Sequence, residues 1–435
     1  METVGLRAQF LQGEPGLAKS VRKFAPAMTL DSKVKTVVQP GPDIEWDPSF
    51  STYEKRVAAL AQQGLPRAKE VPAGFPAQVD APWVWSGADL DEAKYVVKLD
   101  GTEIAEVEKA LEHFKNLPGK LGVGHVCQET FPLPTLRPML EGLAKTLHLG
   151  IGFSVIRGLD PKRYTPLENA VIYLGITAYI GEKRGVQDAG GSMMIHVKDL
   201  GSQIPGSELR QAPYARNPQP FHNDVCDILA MYVQQQAASG GESMLASCAK
   251  IYNEIAEHRP DVIHTLADPS WIFDKQVLSH TTPAFWHKRA LLFNFAGHGP
   301  GFCFSRRPIT ASPTSPRSAG VPAMTEVQAE AIDMVHFTAA KHQISMRLQP
   351  GDIQLINNLA CQHARAGFTD SATEQRHIIR LWLRNENLAW KTPDGLKATW
   401  AEKYGDASEW RKIAKWSVEP GATRERVICR KHSCS

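Results

Sequence analysis

Phe221-His222-Asn223-Asp224 opens onto the apolar run Ile228-Leu229-Ala230-Met231-Tyr232-Val233. Downstream, Gly351-Asp352-Ile353-Gln354-Leu355-Ile356-Asn357-Asn358 leads into His363, and Arg376-His377-Ile378-Ile379-Arg380 follows. The His222-x-Asp224 pair and the distant His363 supply two imidazoles and one carboxylate. Such a set occupies one face of a six-coordinate metal and leaves the opposite positions open, as in the facial triad of non-haem Fe(II) oxygen chemistry. Residues i and i+2 of an extended strand point to the same side, so the spacing predicts a strand that presents His222 and Asp224 together. The remainder of the chain is then a scaffold that brings His363 to that pair.

A His-x-Asp pair arises by chance in a chain with 15 histidines. A lone histidine such as His363 is more often a hydrogen-bonded structural residue than a ligand. The neighbours of these residues carry more weight. Gly351-Asp352 reads as a turn before an apolar strand that delivers Asn357-Asn358 and then His363. Arg376 and Arg380 lie four apart on another extended, otherwise apolar segment and face one side of it. A buried charge needs a partner. A dicarboxylate is one, because Arg grips carboxylates in a bidentate fork. An internal ion pair with Asp or Glu is the other reading of these arginines.

The chain of 435 residues is long enough for one large core with additions. Its 49 Lys and Arg nearly balance 46 Asp and Glu, giving a net charge of +3. No basic stripe with interleaved aromatics is present, so nucleic acid is not the expected partner. No apolar run reaches membrane-spanning length, and no secretory signal is evident. Arg7, Lys19, Arg22, Lys23, Lys33 and Lys35 near the start resemble a mitochondrial presequence, but Glu2, Glu14 and Asp31 interrupt them. The expected location is the cytoplasm. Seven scattered cysteines without a CxxC fit free thiols in a reducing compartment.

The expected organisation has four parts. Residues 1–45 form a loose arm, and 46–148 a mostly helical extension with helices near Ser51–Gln63, Ile104–Leu117 and Leu136–Leu147. Residues 149–385 hold the strands, among them Ile228–Gln236, Ser243–Cys248, Ile353–Asn357 and His377–Leu383, with a helix at Glu326–Lys341 capped by Thr325. Gly181 to Pro220 reads as loops that cover a pocket. Residues 386–435 form a tail whose tryptophans pack on the core. Strands with helices before and between them predict a mainly β fold with added helices (α+β), built on a double-stranded β-helix, or jelly roll.

The chain resembles the TauD/TfdA-like (clavaminate synthase-like) superfamily of Fe(II)/2-oxoglutarate dioxygenases, and most of all its long fungal members. The resemblance covers residues 150–385. It rests on four pieces in order: Gly152–Leu159, the His222 motif, Gly240-Gly241-Glu242-Ser243, and Gly351 to His363 with Arg376 to Arg384. It implies that His222, Asp224 and His363 hold Fe(II). It implies that Arg376 binds the far carboxylate of 2-oxoglutarate, with Ser243 where the family commonly has Thr. Arg380 matches a second arginine that faces the cosubstrate or an acidic substrate, and either arginine can be the one that grips 2-oxoglutarate. The implied reaction consumes O2 and 2-oxoglutarate, releases succinate and CO2, and hydroxylates, desaturates or cyclises a small molecule of specialised or amino-acid-derived metabolism. The rival reading is a jelly-roll protein that is non-catalytic, or binds metal for different chemistry.

Overall fold

Core strands of this chain are continuous apolar runs rather than alternating ones, and that pattern belongs to strands buried on both faces. The computed structural model, which describes residues 47–188, 190–201, 212–275, 285–310, 321–405 and 414–420, has this arrangement. The strands that concern the site are β1 (Val96–Lys98), β2 (Phe153–Arg157), β3 (Ser192–Lys198), β4 (Gln219–His222), β5 (Ile228–Gln235), β6 (Ser243–Ser247), β7 (Ile344–Met346), β8 (Ile353–Asn357), β9 (Cys361–Arg365), β10 (His377–Arg384) and β11 (Lys415–Trp416). The larger sheet runs β1-β2-β8-β5-β10-β3-β11, with Lys183–Arg184 also paired to β10. The smaller sheet runs β7-β6-β9-β4. The two sheets form the jelly roll, and the site lies between them.

Side-chain alternation along the large sheet sends residues into two cores. From β5, Leu229 and Val233 enter the core between the sheets. Ile228, Ala230 and Tyr232 enter a second core on the outer face. Three helices cover that outer face: α1 (Gly101–Lys115), α2 (Arg137–Leu149) and α3 (Pro166–Thr177). Each of these starts follows local chemistry. Asp100 and Thr165 close capping boxes with Glu103 and Glu168, and a proline occupies the first turn of α2 and α3. On the small-sheet side, α4 (Cys248–His258) and α5 (Glu326–His342) pack together, and Thr325 caps the latter by accepting from the Gln328 N–H.

Two expectations change. Ser192–Lys198 lies in the stretch read as loops, yet it is a strand, paired to β10 through Ile195–Lys198. Glycines and prolines on either side obscure its apolar content, and pairing to β10 supplies what local propensity does not. The tail also contributes more than packing. Trp390 and Trp400 are buried, and β11 extends the large sheet by a parallel pairing with β3. The N-terminal arm, residues 311–320 of the Pro/Ser-rich stretch and Trp410 lie outside the described residues.

Candidate metal centre

His222 is the last residue of β4, and its cross-strand partner is His363 on β9. Directly paired residues of antiparallel strands share a face. The two imidazoles therefore meet, with ring centroids 4.1 Å apart.

Asp224 lies beyond the end of β4, so the simple i, i+2 strand geometry does not hold it. Asn358 does. Its Oδ1 accepts from the Asp224 backbone N–H at 2.9 Å, and its Nδ2 donates to the carbonyls of Asp224 and Cys226 at 2.6 and 2.9 Å. Asn223, between the two motif residues, turns away and donates to the carbonyls of Asn358 and Cys361. The Asp224 carboxylate thereby comes to the histidines. One ligand atom from each of His222, Asp224 and His363 lies within 4.8 Å of the others, and no other such group of His, Cys, Asp and Glu occurs among the described residues.

The donor set suits a metal ion. The Pro220 carbonyl can only accept, so His222 Nδ1 carries its proton toward it at 2.9 Å and Nε2 keeps a lone pair. That Nε2 is 3.8 Å from Asp224 Oδ1. The other carboxylate oxygen, Oδ2, accepts from Arg380 Nη1 and Trp382 Nε1, both at 3.0 Å. Oδ1 is left as the ligand atom. Burial pushes both imidazoles below the ordinary histidine range, His363 furthest, which keeps them neutral. Burial would raise the Asp224 carboxyl, but Arg380, the two histidines and the Trp382 N–H bring it down to about 2. Two neutral imidazoles and one ionised carboxylate are what a divalent metal needs from its ligands.

The expected cosubstrate residues separate into two groups. Arg380 is tied into the metal centre: besides Asp224, its Nε donates to Gln187 Oε1 at 2.8 Å, and Gln187 Nε2 in turn donates to the Arg380 and Met193 carbonyls. Arg376 makes no ion pair among the described residues, and its buried Nη1 has no hydrogen-bond partner there. Burial lowers the Arg376 guanidinium to about 10. Gly241 makes room for this side chain. Its φ is +79°, and a Cβ there would sit 3.1 Å from Arg376 Cδ. Ser243 donates its hydroxyl proton to Gln354 Oε1 at 2.9 Å.

Sequence reading gave no role to four residues of this site. Gln187, Trp382 and Asn358 hold the metal centre, and Arg365 lies with Arg376 against the Phe368 ring. Trp382 and Arg365 had a usable signal, since each stands two residues from a named site residue on the same strand and so shares its face. Gln187 had none, because it reaches β10 from a distant loop.

The family profile described as "Taurine catabolism dioxygenase TauD, TfdA family" matches residues 113–382. The chain is 37% identical over 345 residues to the taurine hydroxylase-like protein SAT17 of Stachybotrys chartarum, spanning 77% of this chain and 87% of that one. It is 26% identical over 312 residues to the FR-33289 synthase of Streptomyces rubellomurinus, spanning 70% and 89%. Among solved structures, an asparagine oxygenase in complex with Fe(II), 3-hydroxyasparagine and succinate shares the fold with a TM-score of 0.50 and 17% identity, over 67% of this chain and 93% of that one.

Proposed function

The chain belongs to the taurine catabolism dioxygenase TauD, TfdA family, and on that premise we propose that it oxidises an unactivated C–H bond of a small molecule carrying an acidic group. It is an oxidoreductase whose metal is Fe(II) and whose cosubstrates are 2-oxoglutarate and O2. The observation that carries the site assignment is the convergence of His222, Asp224 and His363 within 4.8 Å. When bound, Fe(II) supplies the oxidative decarboxylation of 2-oxoglutarate to succinate and CO2, coupled to oxidation of the substrate.

The protein's own residues do the placing. His222 Nε2, Asp224 Oδ1 and a ring nitrogen of His363 hold the metal. The Pro220 carbonyl fixes the His222 tautomer, and Arg380 with Trp382 fixes the carboxylate rotation. Arg376 offers a buried, charged N–H to the far carboxylate of 2-oxoglutarate. The relative named for taurine hydroxylation supports a small substrate with an acidic group. The relative named as the synthase of FR-33289 supports a role in making a specialised metabolite.

The test is spectroscopic and comes before any substrate is known. Full-length protein under nitrogen, given Fe(II) and 2-oxoglutarate, should develop a weak visible charge-transfer band. His222→Ala and His363→Ala should lack both the band and iron-dependent turnover. A band that survives in either variant overturns the ligand assignment. A folded wild-type protein without the band leaves the non-catalytic reading.

A further inference from the structure

We propose that Arg365 is a second guanidinium on the far carboxylate of the cosubstrate, and that with Arg376 it selects a dicarboxylic 2-oxo acid over a monocarboxylic one. The inference rests on the reading of the site as a 2-oxoglutarate site. Four observations carry it.

Arg365 follows His363 by two residues within β9, so both side chains leave the strand on the same side, toward the space between the sheets. Its cross-strand partner is Ser243. Arg365 and Arg376 converge on one ring: their guanidinium carbons lie 4.9 and 5.4 Å from the centroid of Phe368. Both residues are buried, at 6% and 7% exposure.

Neither arginine forms an ion pair among the described residues, and three of their buried nitrogens have no hydrogen-bond partner there: Arg365 Nε, Arg365 Nη1 and Arg376 Nη1. One carboxylate acts on each guanidinium, Asp199 on Arg365 and Asp370 on Arg376, but neither bonds these nitrogens, and burial and the repulsion from Arg376 still weigh against the Arg365 cation. A carboxylate between them would satisfy these donors together. It has enough lone pairs to accept from both side chains at once.

Arg365 also has a structural task. Its Nη2 donates to the carbonyls of Ala215 and Asn217, which tethers the segment that enters β4. That task occupies one nitrogen and leaves Nε and Nη1 unexplained. A lysine or an amide would be enough for a tether. A forked guanidinium with donors to spare answers a ligand.

The test separates the two ends of the cosubstrate. 2-Oxoglutarate and pyruvate share the 2-oxo acid that chelates metal, and only the former has a far carboxylate. Binding of each is measured by calorimetry on the full chain loaded with Mn(II), without oxygen. The wild type should prefer 2-oxoglutarate strongly. Arg365→Gln should weaken 2-oxoglutarate binding about 10- to 100-fold, the loss of a charge-assisted contact, and leave pyruvate binding within about twofold. Arg365→Lys keeps the charge and the stem, and should narrow the preference by a smaller factor. It carries the test if the Gln variant does not fold. Equal weakening of both acids would reduce Arg365 to a tether and overturn the inference, as would an unchanged affinity for 2-oxoglutarate. A wild type that binds neither acid removes the proposed function itself, a result distinct from either.

Discussion

At the scale of the residue, the two oxygens of Asp224 have different work. Oδ2 is saturated by Arg380 and Trp382, and Oδ1 faces His222. This division holds the carboxylate in one rotation, so that it offers the metal a single oxygen. Trp382→Phe removes one of the two donors and keeps the aromatic packing. Metal affinity should fall about tenfold, in line with the effect of removing groups that orient ligands. Titration of the apoprotein with Fe(II) or Mn(II) reads it, and an unchanged affinity would show that Arg380 alone suffices. The two arginines named from their spacing show how far residue identity goes. Four residues apart on an apolar segment, Arg376 and Arg380 were equally fit for a ligand or for an internal ion pair. In the fold Arg380 pairs with Asp224, and Arg376 has no carboxylate partner among the described residues. Local spacing sets the side a residue faces and says nothing of which acid arrives there from a distant part of the chain.

At the scale of the element, the site depends on one strand pair and one turn. The β4–β9 pairing sets the distance between the histidines, and the turn after β8 sets Asp224. Asn358 in that turn is fully buried and makes three hydrogen bonds to the segment 224–226. Asn358→Ala leaves buried backbone groups unpaired at a cost of about 1–3 kcal/mol each where water cannot replace the amide. The net loss of stability should be about 2–4 kcal/mol, read as a lower denaturant midpoint, with weaker metal binding in the protein that remains folded. A variant with wild-type stability would mean that the turn is held by its backbone alone. The strand of the His-x-Asp motif was legible, but its end was not. Hydrogen bonds from Asn358, 134 positions away from Asp224, decide where the backbone leaves the sheet.

At the scale of the whole molecule, buried histidines make stability depend on pH. His336 on α5 packs against Phe221, with ring centroids 5.7 Å apart. Burial, with Arg306 adding to it, lowers this imidazole to about 3. An unfolded histidine titrates near 6.5. Above that value neither state binds the proton and no stability is lost. Between about 6.5 and 3 the unfolded chain binds it and the native state does not, so stability falls with falling pH, by up to about 1.4 kcal/mol per pH unit for this group. His336→Phe should flatten that acid limb in urea titrations at pH 7, 6 and 5. An identical slope in wild type and variant would place the proton uptake elsewhere. No helix among the described residues is long and apolar enough to cross a membrane.

The sequence by itself determined which chemistry is available. The residue types, their order and the alternation of side chains follow from covalent spacing and backbone geometry, which act over a few residues. They were enough to name a jelly roll, the candidate ligands His222, Asp224 and His363, and the arginines Arg376 and Arg380, but not that β10 starts at His377 with a register shift after it, which leaves Arg376 outside the strand that carries Arg380. Tertiary structure alone decided the partners. It placed Asn358 under Asp224, Gln187 beside Arg380, Arg365 beside Arg376, and β3 in a sheet where local propensity predicted a loop. Each of these choices is made by burial. A polar group or a strand edge removed from water must be satisfied by whatever group the packed core brings to it, and that group is far away in the chain.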